Sequence, residues 1–287
     1  MRRFPCLVLG VFLVLSASLA QASGIILHLL VSQRASLYLT ASHLQDLLRE
    51  ERDAVLSGTI FPDAGYLFGE EWSEFSHWPT FLNTYLTSIH EQCSQEQLVK
   101  DAHCRQLFAH FLGVLSHDAA DTHFDQHFVR ATAAKDFNND MTAAQEYTDH
   151  WLDYLATMDI EDARVRFRKF VPAGDIAVIF AKAGRSETIE RVRQQLSLQY
   201  WINVVALRRF AKVLAPRGRT IAPWSAVNYL DSRGGVNDSA RVIAGLWDKV
   251  WNILVLKNKL PTIVQEGQKW PDINFEVVEH SGVAPLN

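Results

Sequence analysis

The chain has 287 residues, of which 48% are hydrophobic. That is ample for a buried core and excludes an intrinsically disordered protein. With 28 basic against 32 acidic residues, it also offers no general basic surface for nucleic-acid backbones, so no nucleic-acid partner is expected.

The first 22 residues read as a secretory signal. Arg2 and Arg3 are followed by an apolar run from Cys6 to Leu19, and Ala20-Gln21-Ala22 supplies a small-x-small cleavage site. The run is short for a bilayer span. Cleavage before Ser23 takes the 28 basic residues to 26 and the formal balance to −6. The mature protein is therefore expected to be secreted, to the extracellular space or the periplasm, with no transmembrane segment. In an exported chain the remaining cysteines, Cys93 and Cys104, eleven apart, are expected to form one disulfide, with two free thiols as the alternative.

The helical period dominates the rest of the chain. Leu27 to Leu48 reads as one long helix, and Ser57 to Trp72, with Gly58, Pro62, Gly65 and Gly69, reads as a loop. Helices are then predicted over 78–89, with Pro79 in the first turn, over 96–121 with Leu107, Phe111, Leu112 and Leu115 in the core, and over 142–158. Ile176 to Phe180 is the best strand candidate. Helices return over 187–214 and 236–256, with Pro172, Pro216, Pro223 and Pro261 punctuating the stretches between. The pattern predicts an all-α fold: a single multi-helix domain over 23–269 and a loose tail over 270–287.

His117, Asp118, Asp121, His123, Asp125 and His127 crowd one stretch. His117 and Asp121, four apart, share one face of a helix and can chelate one metal from a single turn. On spacing alone a surface hydrogen bond is the commoner reading of such a pair. Asp63 lies in a rigid turn, Phe61-Pro62-Asp63-Ala64-Gly65-Tyr66, and His77 follows fourteen residues later, beside Trp78. Taken singly, Asp63 also reads as a turn cap and His77 as a structural histidine.

Three segments carry a resemblance. Thr59 to Tyr66, Ser76 to Asn83 and Phe111 to Asp121 resemble the catalytic domain of the glycosylphosphatidylinositol-specific phospholipases D. That domain groups with the zinc-dependent phospholipases C and, more distantly, the zinc single-strand nucleases. Phe128 to Thr132, Asp136-Phe137 and Gly234 to Asp238 extend the likeness over nearly the whole mature chain.

The resemblance implies an all-α fold of this type and a secreted zinc phosphodiesterase with two or three Zn2+ ions. Its substrate would be a phospholipid or glycolipid at a membrane surface, of glycosylphosphatidylinositol or phosphatidylinositol type. The residues do not decide between C-type and D-type cleavage. Asp63, His77, His117 and Asp121 would form the first metal site, with Asp121 as bridging carboxylate and Asp63 doubling as proton acceptor. His28, near the mature N-terminus, would serve another. For a third, His127 lies six residues after Asp121, with His123 as competitor, and Asp149 matches the family's acid. Gln145, however, stands where the family has a histidine, and a neutral amide is a poor zinc ligand. Glu146 and His150 form a reversed pair one helical position away, about 100° around the axis. The aromatic rim expected to meet lipid centres on Phe68 and Trp72. The alternatives are a zinc single-strand nuclease of the same superfamily, or a non-catalytic lipid- or partner-binding protein with a decayed third site.

Overall fold

The structure, a computed structural model, describes residues 24–163, 166–202, 207–264 and 274–277. The stretch read as a secretory signal, residues 1–22, lies outside them. The fold is centred on the long helix Ala102–Phe124.

The order is α1 (Ile25–Tyr38), α2 (Ser42–Glu50), α3 (Arg52–Thr59), a 3-10 helix (Pro62–Phe68), α4 (Glu71–Ser76), α5 (Pro79–Gln92), α6 (Gln95–Lys100) and α7 (Ala102–Phe124). A π turn (Asp125–Val129) leads into α8 (Arg130–Asp136), followed by α9 (Met141–Asp159), α10 (Ala173–Lys182), α11 (Ile189–Gln199), α12 (Leu207–Ile221), α13 (Ser225–Asn228) and α14 (Val236–Trp251). Two short strands, β1 (Pro261–Val264) and β2 (Asn274–Val277), close the described chain.

α7 is apolar on nearly every side and nearly all buried from Leu107 to Ala120, the pattern of a helix surrounded by others. α1, α3, α5 and α14 pack around it. The crossing with α3 is set by two glycines. A Cβ on Gly58 would lie 2.0 Å from the His110 carbonyl oxygen, and one on Gly113 would lie 2.1 Å from that of Val55. Only backbone fits between the two helices there. Gly58 is therefore an interior residue of a helix. The expected loop from Ser57 to Trp72 is instead the end of α3, a 3-10 helix and the start of α4.

Other boundaries also move. The first predicted helix breaks at Leu39 because Asp248 on α14 accepts the Thr40 amide at 2.9 Å and its hydroxyl at 2.7 Å. The predicted 96–121 helix breaks at Asp101, whose side chain accepts the Cys104 amide and starts α7. Cys93 and Cys104 are joined as a disulfide around α6, with Cα atoms 5.8 Å apart. Residues 176–180 are helical, not a strand: Ile176, Ile179 and Phe180 are buried while Val178 is exposed, a helical rather than alternating pattern. Pro216 sits inside α12. In the stretch read as a tail, Asn274–Val277 pairs antiparallel with Pro261–Val264, and Asn83 on α5 bonds both backbone groups of Ile263. No helix among the described residues is long and apolar enough to cross a membrane.

Candidate metal centre

His117 projects from the middle of α7, fully buried. Its Nδ1–H donates to the Thr59 carbonyl at 2.8 Å, a carbonyl delivered by the glycine-mediated approach of α3. His77, just after α4, donates from Nδ1 to the Ser73 carbonyl at 2.8 Å. Since a carbonyl only accepts, each ring carries a proton at Nδ1, and in the neutral ring the lone pair is at Nε2. These two Nε2 atoms face each other at 3.2 Å. As neutral rings they have no proton to share, so the pair calls for a cation, either a metal ion or a proton shared with Asp63 or Asp121.

The carboxylates complete the arrangement. Pro62 starts the 3-10 helix, and Phe61 and Ala64 are buried around Asp63. Ser73 holds this turn, accepting from the Gly65 amide at 3.0 Å and donating to the Pro62 carbonyl. Asp63 Oδ1 then lies 3.3 Å from His77 Nε2 and 3.4 Å from His117 Nε2. Asp121, one turn after His117, brings Oδ2 to 3.3 Å from His117 Nε2 and 3.9 Å from His77 Nε2. Four donors around one zinc at about 2.1 Å would stand about 3.4 Å apart. Four of these five separations match that edge closely, and the fifth is longer by half an ångström.

His28 supplies the second half. Asp153 on α9 accepts the Ile26 and Leu27 amides at 3.0 and 3.1 Å, fixing the start of α1. Gly24 is required beside it, since a Cβ there would lie 2.1 Å from Asp153 Oδ1. One residue past Leu27, His28 stacks on His117 with ring centroids 3.9 Å apart. Its Nε2 lies 3.0 Å from Asp121 Oδ1. Asp121 thus turns one oxygen to each histidine group. A hydroxyl cluster beneath the site, with Ser32 Oγ 2.9 Å from Thr59 Oγ1 and 2.7 Å from Ser116 Oγ, locks α1, α3 and α7 together.

Two overlapping groups, His28–His117–Asp121 and Asp63–His77–His117, therefore have their ligand atoms within 4.8 Å of one another. Both Asp63 oxygens, Asp121 Oδ1 and His28 Nε2 are buried with no aligned hydrogen-bond partner. Polar atoms in that state are costly unless something binds them. The electrostatics run the same way. Burial opposes charge on His117, but the adjacent Asp63 and Asp121 outweigh it and hold the ring well above its ordinary value. Burial also opposes ionisation of Asp121, yet His28 and His117 hold it well below the usual carboxylate range. The cluster is built to hold positive charge. Its donor set, imidazole nitrogens and carboxylate oxygens from five side chains, fits zinc.

The remaining candidates fall elsewhere. His123 is two residues from Asp121, about 200° around the helix. It bonds Asp238 at 2.8 Å, and Asp238 also accepts the Gly234 amide at 2.8 Å. His127 packs edge-on against His123 and beside Gly234, where a Cβ would lie 2.6 Å from that of His127. The Gly234 to Asp238 segment therefore docks on these two histidines, and its glycine adopts φ +76°. His150 Nδ1 donates back to the Glu146 carbonyl of its own helix at 2.7 Å, and Glu146 is exposed. Asp149 accepts from Gln145 Nε2 at 3.0 Å. Burial, with Asp125 and Asp121 near, pushes Asp149 up to about 8.

Asp125, not expected as a ligand, lies beside the Gln145 side chain, and burial pushes its carboxyl up to about 7. Its offset of four from Asp121 is the sequence signal that marks it. Asp118 is a second acid that the motifs do not pick out. It is buried, neither oxygen has a hydrogen-bond partner, and burial pushes its carboxyl up to about 7 against the pull of His77 and His117.

Around the mouth, Glu74 accepts from the Tyr66 hydroxyl at 2.6 Å and from Trp78 Nε1 at 3.1 Å, with the Tyr66 ring against His77. Phe68 and Trp78 are exposed at 48% and 40%. Trp72 is not part of the rim. It is fully buried against Phe61 and Phe180, and its Nε1 donates to Gln195 at 2.9 Å.

Residues 20–204 match the family described as Zinc dependent phospholipase C. The chain is 30% identical over 237 residues to the phosphatidylinositol-glycan-specific phospholipase D of Bos taurus, covering 76% of this chain and 28% of that protein. It is 27% identical over 234 residues to the Homo sapiens protein of the same name, with the same shares. The chain thus spans under a third of the length of these curated relatives. No solved structure matches it significantly.

Proposed function

The chain belongs to the zinc dependent phospholipase C family, and from that premise we propose that it is a secreted, zinc-dependent phosphodiesterase that hydrolyses phospholipids at a membrane surface. A glycosylphosphatidylinositol or phosphatidylinositol headgroup is the substrate class that the relatives favour. The observation that carries the reading is the pair of imidazole Nε2 atoms facing each other at 3.2 Å with both Nδ1 atoms already committed to carbonyls.

Asp63, His77, His117 and Asp121 would hold one ion, and His28 with the other oxygen of Asp121 a second. Bound there, zinc supplies Lewis acidity that neutralises phosphoryl charge and makes water nucleophilic near neutral pH. The chain's own groups do the rest. Asp121, with one oxygen towards His28 and the other towards His117, would be shared between the two. Asp63 Oδ2, without a hydrogen-bond partner, would take the proton of the attacking water. Trp78, next to His77 in the chain, and Phe68, two residues after the Tyr66 that packs on His77, are exposed and offer amphipathic and apolar surface suited to the headgroup level of a bilayer.

The test is hydrolysis of phosphatidylinositol vesicles, of a soluble chromogenic phosphodiester and of single-stranded DNA, before and after chelation. Phospholipid turnover that is lost on chelation, returns with zinc and is absent in Asp121→Ala is expected. Replacing Phe68 and Trp78 by serine should slow vesicle hydrolysis more than hydrolysis of the soluble ester. Turnover of DNA alone would overturn the substrate class, and chelator-insensitive turnover would overturn the metal.

A further inference from the structure

The side chain at 145 bears on how many ions the centre holds. We propose that the centre binds two zinc ions and that the Gln145 amide occupies the place of a third. This rests on the metal-dependent reading above.

One turn beyond Asp121, just past the end of α7, Asp125 stands near Asp149 of α9. Two carboxylates converging beside a metal ligand call for a positive or proton-donating partner. Gln145 provides it. Its Nε2 donates to Asp149 Oδ1 at 3.0 Å, and its side chain lies beside Asp125. A primary amide carries two N–H groups, so one remains after the bond to Asp149, and the pair has a donor without a cation.

The chemistry of the position also disfavours zinc. The amide nitrogen has no available lone pair, and the amide oxygen is neutral. His123 is bonded to Asp238, His127 lies against His123, and His150, next to Asp149 in the chain, projects about 100° away from it around α9. What is left is oxygen only, already engaged by a donor. The His28 and His77 sides differ in kind, because there the acceptors are buried and unpartnered. The residues at this third position therefore do not fit the zinc that the family resemblance implies.

The test is metal content of the full-length mature protein, by native mass spectrometry and elemental analysis, after equilibration with zinc and desalting, and separately with calcium, magnesium and manganese. Two zinc ions per chain are expected in the wild type. Gln145→His, which sets an imidazole between the two carboxylates, should raise the count to three. Three zinc ions in the wild type, or a calcium, magnesium or manganese ion retained in addition to two zincs, would overturn the proposal and leave the metal-dependent function standing. No bound zinc would overturn both. If Gln145→His fails to fold, as read by circular dichroism, the wild-type count still decides the matter, and Gln145→Ala should retain two zincs.

Discussion

Two histidine-rich regions lie within one helical turn of each other, and they differ in where their polar atoms are spent. Around His117, every imidazole whose Nδ1 is bonded gives that hydrogen bond to a backbone carbonyl, that of Thr59 or Ser73, leaving Nε2 bare and directed inward. Around His123 and His127, by contrast, His123 Nε2 is bonded to Asp238, which also accepts the Gly234 amide, and His127 packs against His123 and Gly234, fastening the end of α7 to the start of α14. Residue types are nearly the same in both. In the first region the carbonyl anchors of His77 and His117 cannot compete for an ion at Nε2, whereas in the second the Nε2 of His123 is already bonded to a carboxylate.

The strongest way to break this contrast is to exchange its members. His117→Ala is expected to abolish zinc binding at the first position and phosphodiester turnover, whereas His127→Ala should leave the zinc count unchanged and cost only packing. Metal analysis beside a turnover assay checks both, and equal loss in the two variants would erase the distinction.

The approach of α3 that delivers the Thr59 carbonyl comes next. Gly58→Ala places a methyl 2.0 Å from a backbone oxygen, so α3 must move. A stability loss of about 3 kcal/mol and weaker zinc affinity are expected in chemical denaturation and zinc titration. A variant as stable as wild type would mean the crossing is not tight.

His110 sharpens the comparison from the opposite side, as a buried histidine that serves no site. Tyr85 lies 3.0 Å from its Nδ1, and burial pulls the ring down to about 3. Its folded pKa lies below the unfolded value. The contribution to stability is therefore full above the unfolded pKa and is lost as pH falls towards 3. By pH 4.5 this amounts to about 2.5 kcal/mol. Denaturation of His110→Gln should show a correspondingly flatter decline between pH 6.5 and 4.5, and parallel curves would contradict it. The smallest effect is expected from Glu146→Ala and His150→Ala, neither of which should alter bound zinc; a loss of metal in either would return that pair to the centre.

How much of this is legible in the sequence varies by element. Helical periodicity locates the longer helices α1, α5, α7, α9, α11, α12 and α14, because burial at positions three and four apart is a local property, but it assigns no helix to α3 or α8 and reads the start of α4 as loop. It fails at 176–180, where a five-residue apolar run fits either period, and at Gly58, where a helix-breaking residue is kept because another backbone must pass. His117 and Asp121, like Asp63 and His77, are readable only together, from the three motif segments that hold them, since the offset of four by itself favours a surface hydrogen bond. The destination of His127 is not, because Gly234 and Asp238 arrive from more than a hundred residues away. Trp72 escapes a local reading for the same reason, since its partner Gln195 is equally remote.

By itself, then, the order of residues determined that the chain is helical, which faces are apolar, and that one turn of α7 carries a nitrogen and an oxygen side by side. Such features depend on neighbours within one or two turns. Only the tertiary structure decided that the Nδ1 of His77 and of His117 meets a carbonyl, that one carboxylate faces two histidine groups, and that an amide bonds Asp149 beside Asp125. Hydrogen-bond partners, and hence lone-pair directions, come from segments that meet only when the helices pack.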